Sequence, residues 1–205
     1  MPIRRLPSEL IKKLHRTAPK LEAVFHRLKT KDHRIGKNDP ALLDAQLIRQ
    51  GRGGMLVRGL RVNRQFPHTR IVLKWDQNGN ARGTISAIAH KVRAHNQRPH
   101  SGYYVVGPKA YAISQKIIAM HEVNFPSIEE VIGNASVPSF GKTKRGFAFL
   151  KRVSNTGLTA EEIRRCADIA TSRLDLNRKN IIIIGVEKGK PIFMPLLDLS
   201  QMPAN

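Results

Sequence analysis

The sequence predicts an α+β fold, in which a basic N-terminal region of helices and a β-hairpin precedes an α/β half. Near the N-terminus, apolar residues recur at helical spacing. Residues 70–76 alternate in polarity before an Asn-Gly turn, which is typical of a hairpin. Residues 102–186 contain both strand-like and helix-like segments. We therefore expect basic helices over residues 1–32, an arginine-rich β region over 33–100 and the α/β half over 101–205.

The N-terminal region predicts two basic amphipathic helices. Ser8 is a suitable N-cap for the first helix, and Pro19 suits the first turn of the second. Leu21, Phe25 and Leu28 recur at helical spacing in that second helix. Lysines and arginines occupy the rest of the helix surface. Because Phe25 is the only large aromatic residue here, we expect the helices to pack on their own domain rather than on a membrane surface.

A β-hairpin is predicted over residues 70–89. Its first strand is Arg70–Asp76, its turn is residues 77–80, and Ala81–Ala89 is the returning strand. Asn-Gly in the turn suits a backbone conformation with positive φ. Trp75, on the first strand, is interpreted either as a core anchor or as a platform on which a base stacks.

The second half predicts four strands and two helices in the split order of ferredoxin-like folds. In chain order these are a strand at Gly102–Gly107, a helix at Ala110–Met120, strands at Ile128–Ile132 and Lys144–Val153, a helix from the capping box at Thr159 to Leu174, and a strand at Asn180–Val186. The last of these has too little alternation to be half exposed, so it is expected to be central. An added edge strand is expected at Ile192–Leu197.

One segment of this half resembles a known family. Arg145-Gly146-Phe147-Ala148-Phe149-Leu150 resembles the first six positions of the RNP1 motif of RNA-recognition motifs, and Tyr103–Pro108 resembles their RNP2 motif. The resemblance implies that aromatic side chains on central strands stack on bases and that the leading basic residue contacts phosphate. Gly141-Lys142-Thr143 is predicted to be a basic loop that leads into the same strand, and Lys144 stands at the start of that strand. Together these give a predicted binding surface of Tyr104, Lys142, Lys144, Arg145, Phe147 and Phe149.

The charge of the chain is large and uneven. The formal net charge is +21, from 36 basic and 15 acidic residues, and Asp76 is the only carboxylate between Asp44 and Glu122. Because such a segment cannot neutralise itself, a phosphate-bearing partner is expected. In residues 51–100 arginine outnumbers lysine eight to two, which favours bidentate phosphate contact. The predicted contacts there are Arg52, Arg58, Arg61, Arg64, Arg70, Lys74, Arg82, Arg93 and Arg98.

These observations predict a nucleic-acid-binding protein, with RNA favoured over DNA because of the aromatic and basic strand at residues 145–149. Other proteins of a nucleoprotein complex are further expected partners. We expect no cofactor or metal site, since Cys166 is the single cysteine and the basic region lacks clustered carboxylates. Neither a membrane span nor a secretory leader is expected, and one cysteine fits a reducing compartment such as the cytoplasm.

Two alternatives stay open. The first is an accessory factor of a plasmid, phage or viral assembly, which binds DNA or docks its basic face on an acidic protein. The second is a metal-independent endoribonuclease, with His90, His95 or His100 as its general acid or base.

Overall fold

The fold combines helices and sheets, which confirms the α+β class. The chain divides into two compact units. A sheet unit holds the described residues up to 86 together with 109–121, and a helical unit holds those of 87–108 and 125–196. The computed structural model describes residues 5–30, 46–51, 54–60, 71–76, 78–97, 102–121 and 125–196.

The elements follow one another in the order α1 (Ser8–Thr30), β1 (Gln46–Gly51), β2 (Gly54–Leu60), β3 (Ile71–Trp75), α2 (Ala81–Asn96), β4 (Tyr104–Val105), β5 (Ala110–Ala112), β6 (Ile117–His121), α3 (Ile128–Ile132), α4 (Lys144–Val153), α5 (Ala160–Leu174), β7 (Ile181–Glu187) and β8 (Lys190–Pro195). Short 3₁₀ helices, Ser154–Thr156 and Arg178–Asn180, follow α4 and α5.

The sheet unit is built on five antiparallel strands in the order β1-β2-β3-β6-β5. On one face of β3, Ile71, Leu73 and Trp75 pack in a core cluster with the apolar residues of α1. The ring of Trp75 stacks on Phe25 with centroids 5.3 Å apart. Trp75 is therefore a core anchor, and the base-stacking interpretation of this residue is wrong.

Helix α1 is continuous through Pro19, so the prediction of two separate helices is wrong. A proline inside a helix removes one backbone hydrogen bond and is ordinarily disruptive. Here the buried stripe of Leu10, Leu14, Leu21 and Phe25 extends on both sides of the proline. Burial of that stripe offsets the lost bond, because each fully buried Leu or Phe contributes about 1.5–3 kcal/mol.

The turn after β3 is confirmed, with Gly79 at φ +68°. The Asp76 carboxylate accepts hydrogen bonds from the backbone N–H groups of Asn78 and Asn80 at 2.9 and 3.1 Å. It also accepts one from the Thr84 hydroxyl at 3.3 Å. These bonds direct the chain into a helix rather than into a returning strand.

The returning strand predicted at Ala81–Ala89 is therefore wrong, since these residues begin α2. The helix starts where the Asn80 side chain and carbonyl accept hydrogen bonds from the N–H groups of Gly83 and Thr84. Its buried residues follow helical spacing and are Ala81, Thr84, Ile88, Val92 and His95. The apolar residues of so short a segment do not distinguish the helical period from the strand period.

The helix predicted at Ala110–Met120 is also wrong, because this segment forms the hairpin of β5 and β6. The Ser114 hydroxyl accepts hydrogen bonds from the N–H groups of Lys116 and Ile117, which closes the turn. Isoleucines follow the turn, and β-branched side chains favour a buried strand over a helix.

The helical unit contains a three-stranded sheet in the order β4-β8-β7, with β4 parallel and β7 antiparallel to β8. Of the strand predicted at Gly102–Gly107, only Tyr104 and Val105 form a strand, which is β4. Ile181–Ile184 of β7 are buried as a continuous apolar run. However, β8 and not β7 is the central strand of this sheet, so the expected positions of the last two strands are reversed.

Two further strand predictions are wrong, because Ile128–Ile132 is α3 and Lys144–Val153 is α4. A capping box between Ser127 and Glu130 begins α3, and Thr143 caps α4. The capping box predicted for α5, between Thr159 and Glu162, is confirmed. The described part of the helical unit therefore does not confirm the ferredoxin-like order.

Candidate functional site

Helix α4 is positioned by its cap and by one glycine. The Thr143 hydroxyl accepts a hydrogen bond from the Gly146 N–H at 3.1 Å. A methyl group placed on Gly146 would lie 1.9 Å from the Glu130 carbonyl oxygen, so α4 packs directly on the backbone of α3. Gly146, Phe149 and Val153 are the buried residues of α4 and recur at helical spacing.

We expect Gly146→Ala to destabilise the helical unit by about 2 kcal/mol, because the methyl group would overlap backbone that cannot move freely. In an open helix the same substitution stabilises by about 1 kcal/mol, so the sign is diagnostic. The measurement is the midpoint of urea unfolding, monitored through the reactivity of the Cys166 thiol, which is buried in this unit. Gly185→Ala is the control, since a methyl group there meets no atom within 4 Å. A raised midpoint for Gly146→Ala would refute the packing described.

The exposed surface of α4 is cationic. Lys144, Arg145, Lys151 and Arg152 are all exposed, and we call these four residues the α4 basic face. The helix contains no carboxylate along its whole length. Residues 144 and 151 lie two turns apart on one side of the helix, about 10.5 Å along its axis. The α4 basic face is therefore a cationic surface on a rigid element.

Nearby carboxylates neutralise only part of this surface. Glu130 lies 3.7 Å from Arg145, whose guanidinium also donates a hydrogen bond to the Phe125 carbonyl. Glu129 is shared between Lys142 at 3.6 Å and Lys179 at 3.8 Å. In the described ranges, neither Lys144 nor Lys151 of the α4 basic face has an acidic partner.

Two exposed aromatic rings lie beside the α4 basic face. Phe147 projects from α4 with 63% of its surface exposed, and Phe140 in the preceding loop is 39% exposed. The guanidinium carbon of Arg164, on α5, lies 4.3 Å from the centroid of the Phe140 ring. The cations of this region are thus interleaved with aromatic groups.

The residues predicted from the RNP1 and RNP2 resemblance have different environments. Lys142, Lys144, Arg145 and Phe147 are exposed at or near the start of α4. Phe149 is only 2% exposed and lies in the core, so the expectation that it stacks on bases is wrong. On a helix, residues two apart point in different directions, whereas on a strand they share a face. Tyr104 is half-buried on β4, with the Lys190 ammonium 5.8 Å from its ring centroid.

The arginine-rich region is described only in part. Arg82 and Arg93 are exposed in the first and last turns of α2. Lys74 is 8% exposed on β3, so its prediction as an open phosphate contact is wrong. Its position in the middle of a five-stranded sheet accounts for this burial. Arg58 lies on β2, of which the backbone alone is described. Outside the described residues are Arg52, Arg61, Arg64, Arg70 and Arg98.

Of the three histidines proposed for nuclease chemistry, the two that the structure describes have different environments. His90 is exposed on α2, and His100 lies outside the described residues. His95 is 2% exposed, with its ring centroid 5.4 Å from that of Tyr103, so it packs inside the helical unit. In the described ranges, no three His, Cys, Asp or Glu side chains lie close enough to hold a metal ion.

Two protonated groups are buried together in the helical unit. The Cys166 thiol donates a hydrogen bond to the Gly102 carbonyl at 3.2 Å. Burial raises the pKa of this thiol above its ordinary value of 9.0, and it likewise raises the pKa of the Tyr103 phenol above 10.0. The folded protein therefore holds both protons more tightly than the unfolded chain does.

The free energy of unfolding is expected to fall as the pH rises above about 9, because the unfolded chain then releases these protons before the folded protein does. Their contribution is complete below the unfolded pKa values and is lost as the pH passes through the raised folded ones. Urea midpoints between neutral and strongly alkaline pH measure the effect. Cys166→Ala should make the urea midpoint less dependent on pH at the lower end of this alkaline range. A midpoint that rises with alkaline pH in the native chain would contradict this assignment.

Comparison of the chain with protein-family models and with curated proteins found no match. In the described part of the chain, no helix is both long and apolar enough to cross a membrane.

The prediction from the sequence did not include all the residues of this surface. Lys151, Arg152, Phe140 and Arg164 were not predicted as site residues. If residues 144–153 are predicted as a helix with Thr143 as its N-cap, then Lys144, Phe147 and Lys151 share one face, opposite Phe149. The N-cap threonine was the available local signal.

Proposed function

We propose that the protein binds nucleic acid and that the α4 basic face contacts the phosphate backbone. The observation that carries this proposal is a helix with four exposed cations and no carboxylate, in a chain of net charge +21. Cations that lack acidic partners carry small counterions in solution. Phosphates that replace those counterions release them, which is the main driving force of backbone binding.

The geometry of α4 suits this role. Lys144 and Lys151 are two turns apart, so they reach phosphates at separate positions along a strand. Arg152 lies with its guanidinium carbon 5.4 Å from the Phe149 ring centroid, which holds its side chain near the helix surface. A guanidinium binds phosphate in a bidentate manner, whereas an ammonium acts as a point charge. The α4 basic face offers both kinds of contact.

The preference for RNA rested on a strand at residues 145–149, and these residues lie in a helix. The proposal therefore covers RNA and DNA alike. The alternative of an acidic protein partner uses the same charges but lacks the regular phosphate spacing. Competition between nucleic acid and an acidic polymer distinguishes the two kinds of partner.

The test is a salt series with nuclease-treated protein and labelled oligouridylate, oligothymidylate and duplex DNA. We expect the logarithm of affinity to fall linearly with the logarithm of salt concentration, with a slope of about −0.7 per phosphate contact on a single strand. Polyglutamate serves as the competing acidic polymer. A flat response to salt, or tighter binding of polyglutamate than of any nucleic acid, would refute the proposal.

A further inference from the structure

The exposed aromatic rings beside the α4 basic face are not explained by folding. In the described residues, the exposed large apolar side chains are Val137, Phe140, Phe147 and Ile169. Three of these four lie within residues 137–147. Apolar groups that cluster on a surface and are rimmed by polar residues mark interaction sites.

Phe140 and Phe147 belong to one surface. Gly141 has φ +58°, and a methyl group placed on it would lie 3.2 Å from both Cα and Cβ of Phe147. The Gly141 N–H donates a hydrogen bond to the Val131 carbonyl at 2.6 Å, which fixes the loop against α3. Phe140 directly precedes Gly141, so both rings are held at the N-terminal end of α4.

The side chains around these rings are cationic. Arg164 lies over the Phe140 ring, and Lys144 and Lys151 are one turn before and one turn after Phe147 on α4. Aromatic rings interleaved with cations form the usual platform for an unpaired strand, because each base stacks on a ring while its phosphate meets a cation. A guanidinium plane also accepts a stacked base.

We infer that Phe147, together with Phe140, stacks on unpaired bases, so that the α4 basic face takes a single strand of nucleic acid in preference to a duplex. This inference rests on the proposed function. The charge of the surface selects a polyanion, and the exposed rings select a polyanion that presents flat apolar faces. In a duplex those faces are already stacked on one another, whereas a single strand offers them at little cost.

The test compares fluorescence anisotropy of labelled oligothymidylate, oligouridylate and a DNA duplex of the same length. We expect the native protein to bind both single strands more tightly than the duplex. Phe147→Ala should weaken single-strand binding about 10-fold without changing its salt slope, because no phosphate contact is lost. Phe147→Tyr should retain the affinity, and Phe140→Ala should also weaken it. Ile169→Ala, an exposed apolar residue on α5, is the matched control and should bind as the native protein does.

The outcomes separate the inference from the proposed function. Salt-dependent binding that is unaffected by Phe147→Ala, or that is tightest for the duplex, overturns the stacking inference and leaves phosphate binding in place. Absence of salt-dependent binding to every nucleic acid overturns both. Vesicles of phosphatidylserine are a further arm, and binding to them without binding to either single strand would also overturn the inference. Equal urea midpoints for the native protein and Phe147→Ala establish that any loss of binding does not arise from unfolding.

Discussion

Replacement of Lys144, Lys151 and Arg152 together by glutamine is expected to weaken single-strand binding about 100-fold at 0.1 M salt, on the basis of three lost phosphate contacts. Glutamine removes the charge while keeping the helix propensity of these positions. Arg145 is left in place, because its guanidinium holds Glu130 and the Phe125 carbonyl. The affinity is measured by anisotropy on oligothymidylate.

The matched control removes the same charge from another helix. Lys13, Arg16 and Lys20 of α1, replaced together by glutamine, lower the net charge by the same amount. If the α4 basic face is the contact, this control should change affinity much less than the α4 variant does. Equal losses in the two variants would show that total charge, and not the α4 basic face, governs binding.

The second large effect is expected at Phe149, which lies two residues from Phe147 but on the opposite side of α4. Phe149→Ala should lower the free energy of unfolding by about 3–5 kcal/mol, because it leaves a cavity in a packed core. Phe147→Ala should change the free energy of unfolding by less than about 0.5 kcal/mol, since its ring is exposed. Urea denaturation followed by circular dichroism measures both variants.

This pair of variants separates the helix from the strand predicted for the same residues. On a strand, Phe147 and Phe149 would share one face and their substitutions would have similar effects on stability and on binding. Similar stability losses for the two variants would therefore contradict the orientation of α4 described above.

The sequence predicted those elements in which local signals and the buried pattern agree. The capping box at Thr159 and Glu162, the turn at Gly79 and the apolar run in β7 were all predicted correctly. In each case hydrogen bonds within a few residues, or an uninterrupted apolar run, suffice to specify the local conformation.

The wrong secondary-structure predictions occur in short segments whose apolar residues fit both the strand period and the helix period. In α4, Phe147 and Phe149 fit a strand, whereas Gly146, Phe149 and Val153 fit a helix. Contact between Gly146 and the Glu130 backbone favours the helix, and that contact joins residues sixteen positions apart. Propensity carries no information about such packing.

The candidate site was predicted only in part for the same reason. Lys142, Lys144, Arg145 and Phe147 were predicted because basic and aromatic residues cluster there in the sequence. Arg164 lies on a different helix and meets Phe140 only in the folded chain. Phe149 was assigned to the surface because a strand was assumed.

The central claim is that phosphates bind the α4 basic face. The measurement that tests it most directly is the slope of log affinity against log salt on oligothymidylate, for the native protein and for the variant at Lys144, Lys151 and Arg152. Loss of three single-strand phosphate contacts predicts a slope that is shallower by about 2 in the variant. The slope of log affinity against log salt for the α1 control variant should equal that of the native protein. Coincident lines for the native protein and the α4 variant would contradict the claim.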